Sequence, residues 1–350
     1  MSSFKERDLS IDILRCIGLL AIFVDHTFSS SFILQSVQFD VVLLMLLSGT
    51  SFAITTNHAR SIQWSKYLKR RFVRLVLPTW LFLAIFFSIC YMLHKNIPIW
   101  HPFYAFLLCT EWYVWIIRVF LFIALLSPFI LSYTKVVKNN HVFMLSAFGF
   151  FVVFDLLTIG CLTDFPNFVY INSHFPQYML YIFLIGVPYV AIYAIGHRLQ
   201  QMTTYQILFW CIVMLFIFFV MCYRFYCKEG VFVISKVHKY PPHLYYISFA
   251  LGVSLLMWNL RYIISKYLSR INILYKIFIF IGQNTIWIYL WHVLILTITK
   301  NGVPESMRFL LVLMGGIIIY LFQYTIVKKI IIPRICKEET RKTVSRILLG

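Results

Sequence analysis

"RCIGLLAIFVDH" (residues 15–26) decides how this chain is read, because an apolar run of membrane length carries a cation at one end and an Asp-His pair at the other. Widened to residues 11–34, the run exceeds the roughly 20 residues that a helix needs to cross a hydrocarbon core. Ionisable side chains are costly at that depth, so a segment that keeps them usually needs them. The rest of the chain shares this apolar character. Of 350 residues, 61% are hydrophobic and 19% aromatic, with a mean hydropathy of +0.83. Only a nonpolar solvent tolerates so much exposed apolar surface, which excludes a soluble globular protein.

Windows of that length mark ten spans, near 11–34, 39–56, 72–93, 113–133, 142–160, 178–196, 205–226, 244–264, 273–299 and 307–332. The expected fold is all-α, a polytopic transmembrane bundle of about ten helices. Lys5 and Arg7 precede a first run too long for a signal-peptide core, so it reads as an uncleaved helix. With both termini cytoplasmic, 22 of the 31 Lys and Arg residues fall on the inner side and seven on the outer. Arg15 and Arg118 fall within spans, and the bias follows the positive-inside rule. The 12 acidic residues leave a net charge of +19, which in such a chain reflects anchoring loops rather than nucleic-acid binding. Loops are short and no repeat stands out, so residues 1–350 read as one domain. None of the eight cysteines has a CxxC or Cys/His spacing that suggests zinc, and no metal is expected. A disulfide between Cys109 and Cys161 is conceivable across two outer loops, and spacing alone leaves it open.

Arg15 and His26 are eleven positions apart, three helical turns plus about 20°, and so share a face. Asp12 lies on that face, three residues before Arg15, where the pair can neutralise each other. His26 stands roughly 16 Å further along the axis. Arg15 either lines a path to this ring or snorkels, and His26 is either functional or a structural polar contact. Asp25 points about 100° away from His26 and is free to pair elsewhere. In "YLKRRFVRLVLP" (residues 67–78), helical spacing places Arg70, Arg71 and Arg74 on adjoining surface. Planar guanidinium forks suit phosphate oxygens, and a basic collar against anionic membrane lipids is the plainer alternative.

"EWYVWIIRVFLFIALLSP" (residues 111–128) opens with Glu111, Trp112 and Tyr113, an interfacial aromatic belt or a sugar-stacking platform. Arg118 lies within the span and calls for a carboxylate, with Glu111 a candidate, or for a water-lined cavity. "KVHKYPPHLYY" (residues 236–246) puts Lys236 and Lys239 on the outer side, where they hold an anionic glycan or merely break the charge rule. Gly282, Gln283 and Asn284 interrupt the ninth span ahead of His292, so a kink is expected there, with His292 a second proton carrier or a structural hydrogen bond.

Taken in order, these segments resemble the integral-membrane acyltransferase-3 family. "LSIDILRCIGLLAIFVDH" is similar to its first helix, with Arg, ten intervening residues and His. "LLSGTSF" resembles its Ser-Gly segment at Ser48 and Gly49, and "RRFVR" its Arg-Arg-x-x-Arg pattern. "EWYVWII" and "IGQNTIWIYLWH" resemble its fourth-helix opening and a Gly-to-His stretch near its end. The likeness spans roughly residues 8–333 and leaves 334–350 as a basic cytoplasmic tail. Aliphatic residues precede Ser48-Gly49 where relatives often have aromatic ones, and Glu111 replaces a frequent His or hydrophobic residue.

The resemblance implies O-acyl transfer, most simply of acetyl from acetyl-CoA or another acyl-CoA, to a carbohydrate or lipid-linked glycan at a bacterial inner (plasma) membrane. A polysaccharide-synthesis machinery is a possible partner. In that reading His26 is the general base or a transient acyl carrier. Arg15, Arg70, Arg71 and Arg74 hold the donor, and Asp25, Glu111, Trp112, Tyr113, Arg118 and His292 are candidates on the acceptor side. A glycan or lipid transporter, or flippase, is the alternative.

Overall fold

The structure is a computed structural model that describes residues 7–56, 62–95, 97–108, 114–161, 175–299 and 302–350, with side chains omitted at 159–161 and 175–182. Helix α1 (Leu9–Thr27) starts where the Asp8 side chain accepts from Ser10 N–H. Its leading donors are thereby capped. Next come α2 (Ser31–Val37), α3 (Asp40–Thr56), α4 (Trp64–Met92), α5 (Trp100–Phe106), α6 (Trp115–Val136), α7 (Asn140–Cys161) and α8 (Phe175–Arg198). Helix α9 (Thr204–Glu229) opens on a capping box of Thr203 and Gln206 and stops at Gly230, whose φ of 71° is left-handed. The order ends with α10 (Leu244–Ser269), α11 (Asn272–Gln283), α12 (Thr285–Ile298), α13 (Glu305–Ile326) and α14 (Glu338–Leu348). No strand occurs among the described residues.

Seven helical segments among the described residues are long and apolar enough to cross a membrane, and the bent pair α11 and α12 makes up to eight. The ten spans expected from the sequence exceed that count. Two of them coincide with helices outside the seven: α1, interrupted by Asp12, Arg15 and Asp25, and α8, whose side chains are described only from residue 183. The kink expected at 282–284 is present as an 88° bend. Backbone groups freed by such a break need new partners. Asn284 supplies one by donating from Nδ2 to Phe280 O at 2.6 Å, while its Oδ1 accepts from the Tyr320 hydroxyl at 2.6 Å.

Helix α1 packs against α3, α10, α11, α12 and α13, so its ionisable side chains meet protein on several sides. Glycine sets the closest approaches. A Cβ on Gly49 would lie 2.0 Å from Tyr193 O, and one on Gly196 2.0 Å from Leu46 O, which makes α3 and α8 a small-residue contact of the kind that draws membrane helices together. A Cβ on Gly282 would lie 1.8 Å from Asp12 O, so the bend presses directly on the first turn of α1. The C-terminal segment, expected as a basic tail, folds back: α14 packs on α4, and the carbonyls of Ile347, Leu348 and Leu349 accept from Trp287, Gln323 and Tyr320 at 3.0, 2.6 and 3.2 Å.

Candidate active site

At the end of the bundle where the start of α1 meets Gly350, Asp12 is the hub. Its carboxylate accepts from Arg7 at 2.8 and 2.9 Å, from Arg15 at 2.9 Å and from Gln283 Nε2 at 3.3 Å. Arg15 also donates to Ser51 Oγ at 2.7 Å. These bonds fix Arg15 in place, since a guanidinium with two planar bonds has little freedom left. They aim it at a cavity of about 150 Å³ that is lined also by Ser48, Arg71, Arg74, Gln283, Tyr289 and Gly350. Arg71 is steadied by Tyr67, whose hydroxyl accepts from its Nε at 3.3 Å, whereas Arg74 has no hydrogen bond or ion pair among the described residues.

Arg70 does not join them. It faces a separate depression with Thr55, Thr56, Lys66 and Tyr67. The expected cluster of three arginines on α4 is therefore divided, and the cavity's cations are Arg15, Arg71 and Arg74. Three turns of α1 further on, His26 Nδ1 lies 3.1 Å from Nε2 of His292 on α12, and His292 Nδ1 bonds to Tyr289 O. The two rings are 8° from parallel with centroids 5.3 Å apart. That separation exceeds the nitrogen distance by about two ring radii, so the imidazoles meet end to end in a hydrogen bond. Phe23 stacks on His292 at 4.5 Å, and His292 is fully buried.

The open route expected from the arginines to His26 is interrupted. The cavity is lined by Leu19 and Tyr289 but by neither His26 nor His292. Tyr289 both lines it and lies against the His292 ring at 4.8 Å, so its side chain touches the arginine cavity and the histidine pair alike.

Asp25, one of the acceptor-side candidates, is held in an ion cluster. It accepts from Gln38 at 2.7 Å, Lys236 at 2.9 Å and Lys239 at 3.4 Å, and Lys239 also bonds Asp40 at 3.1 Å. Lys236 and Lys239 thus pair with carboxylates of α1 and α3, and Lys236 keeps 33% of its side chain exposed. Burial opposes the Lys239 charge, but Asp40, with Tyr240 and Asp25 beside it, carries its ammonium well above the ordinary lysine range. Arg118 donates to Leu108 O at 2.9 Å. Its proposed partner Glu111, together with Trp112 and Tyr113, lies outside the described residues, as do the Cys109 residue and the Cys161 side chain.

Sequence reasoning missed Ser51, Gln283, Tyr289 and Gly350 as parts of the site. Gln283 carried a signal, being a polar residue at the helix break. The others carried none, because Tyr289 and Gly350 reach the cavity, and Ser51 reaches Arg15, through packing of distant segments.

Residues 8–328 match the family model described as an acyltransferase domain, of the acyltransferase-3 type. No curated protein and no solved structure matches the chain.

Proposed function

The chain belongs to the acyltransferase-3 family and is a multi-pass membrane acyltransferase, and from this premise we propose that it moves a short acyl group, acetyl in the simplest case, from cytoplasmic acyl-CoA to a hydroxyl of an envelope carbohydrate. The observation that carries the reading is the succession along α1 of an arginine-lined cavity, one aromatic side chain and a hydrogen-bonded histidine pair. Arg15, Arg71 and Arg74 would bind the phosphates of the donor, because charge-assisted bonds from guanidinium forks are the strong ones. The pantetheine arm is thin and would reach His26 by displacing Tyr289.

In the transfer step His26 takes the proton of the sugar hydroxyl while the oxygen attacks the thioester carbonyl carbon. The C–S bond then breaks, and the imidazolium returns its proton to the departing thiolate. Proton transfer by a positioned base contributes about 10²–10⁴-fold in such reactions. Holding both reactants beside one ring supplies much of the remainder.

Purified protein incubated with radiolabelled acetyl-CoA and envelope glycan tests this directly. Wild type is expected to yield labelled glycan and His26→Ala, at matched folding, none. Equal product from the variant ends the role of His26, and glycan movement across vesicles without acylation returns the transporter reading.

A further inference from the structure

We infer that His292 is a positioning residue that fixes His26 in the tautomer with its proton on Nδ1 and its lone pair on Nε2. The inference rests on the reading of His26 as base and says which nitrogen acts.

The chain of bonds starts at a backbone carbonyl. Tyr289 O can only accept, so the Nδ1 of His292 that bonds to it carries a hydrogen. A neutral imidazole has one donor and one acceptor nitrogen, which makes Nε2 of His292 the acceptor. That atom lies 3.1 Å from His26 Nδ1, and the rings meet end to end, so His26 Nδ1 must donate. The lone pair of His26 is then on Nε2, the far side of the ring. The opposite assignment requires a resting cation at His292. That side chain is fully buried between the rings of Phe23 at 4.5 Å and Tyr289 at 4.8 Å, where an ion is expensive to desolvate.

Two features of the fold build the relay. The 88° bend at Asn284 turns α12 against α1, and Tyr289 and His292 are one helical turn apart, so the carbonyl and the ring nitrogen come from the same turn. During the reaction Nε2 of His26 accepts the hydroxyl proton, and Nδ1–H keeps its bond to the His292 lone pair. The imidazolium is thereby stabilised where it forms, and the proton leaves again from Nε2 to the thiolate. His292 exchanges nothing with substrate. It orients and polarises the ring that does, as the third group of a hydrolytic triad does.

The test compares steady-state acylation by His292→Phe, which cannot accept the bond, with His292→Gln, whose amide oxygen can. The expected result is a fall in kcat of roughly 100-fold for the phenylalanine variant with KM for acetyl-CoA unchanged, and recovery of most of that loss by glutamine. Ring ¹⁵N-labelled wild type gives a second readout that does not depend on a variant folding: His26 should show a protonated Nδ1 and an unprotonated Nε2. Wild-type kcat in His292→Phe, equal damage from both substitutions, or a proton found on His26 Nε2 overturns the relay. An active His26→Ala protein instead sinks the underlying reading. An inactive His26→Ala beside an unimpaired His292→Phe sinks the relay alone.

Discussion

At the scale of the residue, the arginines of α4 are not equivalent, although the sequence presents them as one run. Arg71 and Arg74 face the same cavity as Arg15, while Arg70 looks into a different depression. Losing a hydrogen bond to a charged group costs about 1.5–3 kcal/mol, or roughly 10–100-fold in affinity. Arg74→Ala and Arg71→Ala are therefore expected to raise KM for acyl-CoA by that factor with little change in kcat, and Arg70→Ala to leave both constants near wild type. Titration calorimetry with CoA, alongside initial rates, separates the three. A loss for Arg70→Ala as large as for Arg74→Ala would mean that the donor lies across α4 rather than in the cavity. The same scale shows what a sequence can and cannot reveal. The pairing of Asp12 with Arg15 follows from three-residue spacing, and the structure contains it at 2.9 Å. The contact of Arg15 with Ser51 joins helices 36 positions apart in the chain, and no local rule reaches that far.

At the scale of the element, an ion cluster ties the 230–243 connection to the ends of α1 and α3. Lys239 sits between Asp25 and Asp40 with its side chain 2% exposed, and Lys236 on Asp25 adds the second positive charge, so the four charges balance only as a set. Removing one partner of a buried pair leaves an uncompensated charge and costs about 3–5 kcal/mol, whereas removing both is far milder. Lys239→Met should accordingly lower the unfolding midpoint of the detergent-solubilised protein sharply, and Lys239→Met with Asp40→Asn should recover much of it. Unfolding followed by intrinsic tryptophan fluorescence gives the comparison. Additive losses in the double variant would show that the two groups do not interact. The cluster also explains an anomaly in the charge pattern. Lys236 and Lys239, which the charge pattern would leave on the outer side, neutralise carboxylates within the fold, and only Asp25 and Asp40 seen in space make that evident.

At the scale of the whole molecule, the positive-inside bias predicts the orientation, and two native cysteines test it. Cys227 near the end of α9 and Cys336 ahead of α14 are both exposed and lie at opposite ends of the bundle. In intact cells a membrane-impermeant maleimide is expected to label a variant that keeps only Cys227 and to spare one that keeps only Cys336. Inverted vesicles should exchange the two results. Labelling of Cys336 from outside would invert the topology and place the arginine cavity away from cytosolic CoA.

The sequence by itself determined the solvent in which this protein folds, the helical class, the position of the break at 282–284, and the candidates Arg15, His26 and the α4 arginines. All of these rest on composition and on spacing within one helix, where the α-helical repeat turns sequence separation into direction. The tertiary structure alone decided that Arg70 parts from Arg71 and Arg74, that Asp25 belongs to a structural cluster, that Tyr289 lies against both the cavity and His292, and that His292 meets His26 end to end. Those depend on which helix faces which, and close packing through Gly49, Gly196 and Gly282 settles that by contacts between segments far apart in the chain.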